Sequence, residues 1–425
     1  MRQTSYNRGG RGHSGANRFS NSASTGTTPL APDRDIMEGL VPTALQTIGI
    51  PTTVKSAQNV TISSLQSVGS YNWTKNSSPT IIVPGSPAEW QNKATPYQVP
   101  ADTGLFFIDQ NGFRMPSAVL LPLITAVDAT HEASGSPAAF DWAGANFDFI
   151  TDRNGLRKLM RWIDGANRDA DSDPPKEFRI DTQLAGRTVL LNRWEKRTRE
   201  NLSGYTYGFN FEKASTDPAI GCEDSTGHHR MVSYDLNGLK MLVRFEVDAC
   251  IPAAAKASAK KKVQSIDDLA TSLAGVNLAS RGVSTSTTNN GLTVISDGAI
   301  IPHTSLVELT TRTERRAAEF DWKDAYPQLF FSQTPHHFLA VHDRGRFTSV
   351  TKRTLESSDL QAVQHAMQPS LKKLRAALDT IRDVVVKNGQ RGRLTLVYRD
   401  GKLEVFQRTS SASCLPDHIL ARFES

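Results

Sequence analysis

Lys240-Met241-Leu242-Val243-Arg244-Phe245-Glu246-Val247-Asp248-Ala249 is the stretch on which the reading of the chain turns. Large apolar and β-branched residues without Gly or Pro predict a strand over most of it. Successive strand side chains point to opposite faces, so Glu246 and Asp248 share one face while Phe245 and Val247 take the other. Two neighbouring acids repel unless a cation lies between them, and a divalent metal is the usual answer. Taken alone, the stretch reads more simply as a solvated strand end. The rest of the sequence changes that balance.

The chain has 425 residues, 38% of them hydrophobic, enough for one large domain or two to three ordinary ones. Mean hydropathy is -0.39. No apolar run reaches the length of a membrane span, and no signal-peptide core follows the N-terminus, so no membrane partner is expected. Cys222, Cys250 and Cys414 lie far apart and form no CxxC pair, which argues against a disulfide framework or a zinc knuckle and suits a reducing compartment. A net charge of +6 permits an anionic partner without requiring one.

Residues 1 to about 35 form an Arg/Gly/Ser-rich arm, with no acid before Asp33. Such a segment buries too little apolar surface to fold alone. Arg8-Gly9-Gly10-Arg11-Gly12 suits RNA phosphates and bases; an inert tail is the simpler reading, and a mitochondrial transit peptide stays open. Residues 36–425 read as one domain with an insertion at about 252–300. Within it, Thr80–Val83 and Gly104–Ile108 are short strands, and Ala118–Leu123 is a short buried helix. Phe147–Thr151 is a strand, followed by helical spacing of Leu156, Leu159, Met160 and Ile163. Arg153 therefore stands where strand becomes helix, a place suited to a phosphate, although pairing with Asp152 or Asp148 is the simpler reading there.

Phe178–Asn192 predicts one or two strands, and Glu195–Ser203 is charged and helix-compatible. Lys256, Lys260, Lys261 and Lys262 form a basic cluster in the insertion, Ser265–Leu269 opens a short helix, and Ser284–Asn290 reads as a loop. Ser305–Thr311 is a second acid-bearing strand, with Glu308 and Thr310 on one face. Glu319–Phe331 reads as an aromatic-rich helix, and His337–Val341 with Arg346–Val350 as a hairpin. His336 and His337, being adjacent, make a poor metal pair. Leu371, Leu374, Leu378, Ile381 and Val385 mark a long helix, and a last hairpin turns at Asp400-Gly401.

In order, these pieces resemble the family of eukaryotic decapping nucleases, enzymes of RNA 5′-end quality control, in a divergent fungal form. The family's motifs match Arg153 after a strand, Gly208 with Glu212 four residues on, Glu246-Val247-Asp248, Glu308-Leu309-Thr310, and Gln328 on a helix before Pro335. The resemblance spans roughly residues 145 to 350 and rests on the order of short motifs.

It implies a mixed α+β fold with two sheets, flanking helices and a metal cleft between the sheets. Glu212, Asp248, Glu308 and the carbonyl of Leu309 would hold Mg²⁺ or Mn²⁺, with Glu246 close by and Arg153 and Gln328 on the 5′-terminal nucleotide. The implied catalytic set is Glu246, Asp248, Glu308 and Thr310. The implied activity is metal-dependent removal of an aberrant cap or 5′ nucleotides. The RNA 5′ end is the expected partner, a 5′–3′ exoribonuclease a further one, and nucleus or cytoplasm the expected location.

One residue departs from the pattern. Thr310 stands where the family has Lys, and losing such a charged donor commonly lowers a rate on the order of 10²–10³-fold. Arg312, two residues on, is expected to reach inward as a substitute. Three readings follow: an active hydrolase, a weak or inactive RNA 5′-end-binding protein or exoribonuclease scaffold, and an unrelated α+β protein whose acids coincide with the motifs. All four acids are kept, and buried acids are costly without a counter-ion, which favours the first.

Overall fold

The computed structural model describes residues 30–52, 58–136, 138–165, 176–252, 284–287 and 290–424. The Arg8–Gly12 arm, the Lys256–Lys262 cluster and the helix expected at Ser265 lie outside them.

The quoted stretch forms the strand Leu239–Val247 near the middle of a twelve-stranded sheet. It pairs antiparallel with Ser225–Leu236 through the turn Asn237-Gly238, whose φ angles of 46° and 84° are those of a tight hairpin. On its other side lies Phe149–Asp152, in parallel. Met241, Val243, Phe245 and Val247 enter a core shared with the helices Arg153–Gly165, Trp322–Ser332 and Gln368–Asn388. Leu242 enters the opposite core, with the helix Leu121–Ala133. Each such buried side chain stabilises by about 1.5–3 kcal/mol. A one-residue slip would exchange the two faces and turn Arg244 and Glu246 into the apolar core, so the apolar pattern fixes the register.

A second, seven-stranded sheet runs Thr216–Asp217, Glu89–Trp90, Ala249–Cys250, Leu306–Thr313, His336–Asp343, Arg346–Thr354, Tyr97–Gln98. Ala249–Cys250 pairs with Leu306–Thr313. One residue, Asp248, separates the two strands of the quoted stretch, so the chain changes sheets at that carboxylate. The α+β architecture with two large sheets and outer helices is the one expected.

Some local expectations are corrected. Arg199–Ser203, read as helix-compatible, is a strand paired with Thr103–Phe107; cross-strand pairing overrides its charged pattern. Ser284–Thr287, read as loop, pairs with Thr293–Asp297, which itself extends the large sheet beside Thr80–Pro84. The helix expected from Glu319 begins at Trp322, because the Asp321 carboxylate caps it by accepting from the amides of Lys323 and Asp324. The helix expected at Ala118–Leu123 begins at Leu121 and runs to Ala133, with Pro122 in its first turn, where its missing N–H is not needed.

Candidate active site in the cleft between the sheets

The acids reach one cleft from both sheets. Glu246 comes from the large sheet, and Asp248 from the crossover. Glu308 stands on Leu306–Thr313, and Glu212 on the helix Gly208–Ser215, which leads into the seven-stranded sheet. Glu246 is exposed to the cleft, Glu212 and Asp248 are half-buried, and Glu308 is buried. Gly227 makes room for Glu246, since a Cβ there would lie 3.1 Å from its Oε1.

Arg153 and Gln328 both meet Glu308. The Arg153 Nη1 donates to Glu308 Oε2 at 2.9 Å, and the Gln328 amide donates to Oε1. Arg157 in turn donates to the Gln328 carbonyl oxygen. Arg153 is thus not paired with its neighbours in sequence. Asp152 is taken by Arg244, and Asp148 by Arg382. The Leu309 amide donates to Asp248 Oδ2 at 2.7 Å, which ties the crossover to the second acid strand.

Thr310 is half-buried, and its hydroxyl lies 3.0 Å from His337 Nε2. Arg312 does not reach inward as expected. It is exposed, donates to the Thr311 carbonyl and lies 4.9 Å over the Phe320 ring.

Sequence reading missed several residues around these acids. Asp102 is fully buried and accepts from the Asn210 amide at 2.8 Å, holding the start of the helix that carries Glu212. Arg193 bonds Glu195 at 2.8 Å and approaches Asp109 at 3.8 Å, and its charge lowers the Glu246 pKa. Neither has a local signal, because every partner except Glu195 is distant in sequence.

Charge accumulates in the cleft. Burial, with Glu246, Glu308 and Asp102, pushes the Glu212 carboxyl from 4.5 up to about 8. Burial, Glu308 and Glu212 hold Asp248 well above the ordinary value, against the pull of the Leu309 amide. Glu246 keeps contact with solvent, yet the protein crowded around it withdraws enough water to raise its carboxyl as well, with Arg193 and Arg153 opposing. The donors are hard carboxylate oxygens in excess of nearby cations, so Glu212, Asp248 and Glu308 fit a divalent metal in kind. The ligand geometry is not preformed. Among the described residues no three His, Cys, Asp or Glu side chains surround a common metal position, and both Glu308 oxygens are engaged by Arg153 and Gln328.

A pH test follows from these shifts. The folded chain keeps the Glu212 proton after the unfolded chain has lost it. Metal-free stability therefore falls as pH rises from about 4.5 to about 8, then levels. Asp248 acts in the same direction. His228 and His229, buried and neutral, act oppositely, removing stability as pH falls below the ordinary histidine value. The comparison is therefore with Glu212→Gln. Thermal melts without metal should show a shallower alkaline loss in that variant, and Mn²⁺ should raise the wild-type midpoint more near pH 8 than near pH 5.5. Equal slopes in the two proteins would refute the assignment.

The fold is the one seen in crystal structures of Rai1. The Rai1 of Scheffersomyces stipitis in complex with (3′-NADP)⁺ and calcium ion superposes with a TM-score of 0.55 at 10% identity, over 89% of this chain and 99% of that one. Candida albicans Rai1 in complex with pU5–Mn²⁺ gives 0.53 at 11% identity, over 89% and 98%. S. pombe Rai1 gives 0.50 at 14%, over 84% and 96%. No curated protein matches the sequence. The chain belongs to the family described as Domain of unknown function (DUF8563), whose model matches residues 44–423. No described helix is long and apolar enough to cross a membrane.

Proposed function

We propose that this protein is a divalent-metal-dependent hydrolase of RNA 5′ ends, acting on an aberrant cap or on 5′-terminal nucleotides. The observation that carries the proposal is the meeting of Glu212, Glu246, Asp248 and Glu308 in one cleft, with carboxyl pKa values raised at three of them. Likeness to the Rai1 fold supports it, as does the C. albicans Rai1 complex with pU5 and Mn²⁺.

A bound Mg²⁺ or Mn²⁺ would polarise the scissile phosphate and acidify a water. Glu212, Asp248 and Glu308 are the residues to hold it. Glu246, exposed to the cleft, is placed to accept a proton from the attacking water. Arg153 and Gln328 would move from Glu308 to the 5′-terminal nucleotide. That exchange is consistent with their present engagement, because an Arg fork suits phosphate as well as carboxylate. The reaction itself is tested with 5′-monophosphate RNA and capped RNA in Mn²⁺ or Mg²⁺, beside a Glu246→Ala/Asp248→Ala control. Cleavage lost in the control is expected; cleavage that persists, or none by the wild type, overturns the proposal.

A second reading, an RNA 5′-end-binding protein or exoribonuclease scaffold, is favoured by two observations. Glu308 is closed by two protein donors, and Thr310 brings no charge. Metal-independent RNA binding without turnover would select it. A nuclear or cytoplasmic location accompanies either reading as part of the proposal.

A further inference from the structure

His337 is 2% exposed and is the second residue of the strand His336–Asp343, in parallel register with Glu308. Its Nε2 lies 3.0 Å from the Thr310 hydroxyl. Trp322 meets the ring edge-on at 5.1 Å, and Phe320 lies at 6.0 Å. Its Nδ1 is buried with no hydrogen-bond partner. An imidazole is therefore a costly way to fill this aromatic pocket, since a phenyl ring would leave no polar atom stranded. What the imidazole adds is one directed hydrogen bond to Thr310. That threonine occupies the strand position two residues beyond Glu308, on the same face.

We propose that His337 is a positioning residue. Its Nε2–H donates to the Thr310 oxygen and fixes the hydroxyl, whose own proton is then available to the attacking water or to a phosphoryl oxygen. The Thr310–His337 pair would thus supply an uncharged hydrogen-bond donor beside Glu308. Neither residue gains or loses a proton in this role. Arg312 is stacked over Phe320 at the outer end of the same strand. The inference rests on the hydrolase reading above.

The test is a double-mutant cycle on the full-length protein, with kcat and KM measured on 5′-monophosphate RNA in Mn²⁺. His337→Phe keeps the ring and removes the donor, and should lower kcat roughly 10–100-fold with KM little changed. Thr310→Val should lower kcat at least as much. The double variant should be no worse than Thr310→Val, because the histidine acts only through the hydroxyl. His337→Gln, which offers an amide N–H, should recover part of the loss. Thermal melts confirm that each variant is folded, and an unfolded His337→Phe leaves the comparison to His337→Gln and His337→Leu. Wild-type kcat in the histidine variants, or losses that multiply in the double variant, would overturn the inference while the hydrolase reading stands. A wild type inactive on every 5′ end would overturn both.

Discussion

Asp248→Asn is expected to lower metal-dependent turnover on the order of 10³-fold and, at the same time, to make the metal-free protein more stable. The two effects have one source. Asp248 is held well above the ordinary carboxyl range by burial and by the charges of Glu308 and Glu212, so its ionised form is opposed wherever no cation is present. Asn keeps an oxygen to accept from the Leu309 amide, 2.7 Å from Oδ2 in the wild type, and the crossover should fold unchanged. It removes a charge that the proposed divalent ion would use as a ligand. Cleavage kinetics with Mn²⁺ and denaturant midpoints in chelator, both near pH 8, check the pair of outcomes. Turnover within tenfold of wild type would mean that Asp248 is not a ligand.

Arg244→Met should cost about 3–5 kcal/mol of stability. The guanidinium is 1% exposed and bonds Asp152 twice, at 2.7 and 3.0 Å, with further bonds to the Val119 carbonyl and the Tyr71 hydroxyl. Burial opposes the Arg244 charge, but the Asp152 carboxylate outweighs it and holds the guanidinium above the ordinary arginine range. Met fills much of the volume but abandons the buried Asp152 carboxylate and the Val119 oxygen. Asp152 immediately precedes Arg153, so the loss should also loosen the residue that bonds Glu308. Chemical denaturation measures the cost, and Arg244→Met/Asp152→Asn should regain a good part of it because no lone charge then stays buried. A single variant within about 1 kcal/mol of wild type would refute the account.

The apolar rhythm of Met241 to Val247 was enough to set a strand, its register and the face that carries Glu246. The same holds for Leu306–Thr313 and for the hairpin turning at Asp400-Gly401. These patterns are local, with a period of two. The four acids were legible through the order of their motifs. What was not legible is who holds them. Glu308 and Arg153 stand 155 positions apart, and Arg244 and Asp152 stand 92 apart. The second pair arises only after two parallel strands have chosen each other, and the first only after the two sheets have packed together. His337 shows the limit most plainly. Alternation sets it on the opposite face from His336, yet its contact with Thr310 exists only through the register that sets it beside Glu308. Arg199–Ser203 failed for the opposite reason: its local charges suggested a helix, and a partner strand decided otherwise.

The change of sheet at Asp248 makes this carboxylate a joint as well as a ligand candidate. Glu246 travels with one slab of the molecule, whereas Glu308 and Glu212 travel with the other. A cation held by Asp248 and the acids of the second slab is then a rivet beside the joint, and the Arg153–Glu308 ion pair is a latch across the same gap. Opening the gap and emptying the rivet become one equilibrium, so whatever shifts one shifts the other. If the proposed metal binds there, a chelator would loosen the tie between the two slabs, and a ligand that widened the gap would weaken the hold on metal.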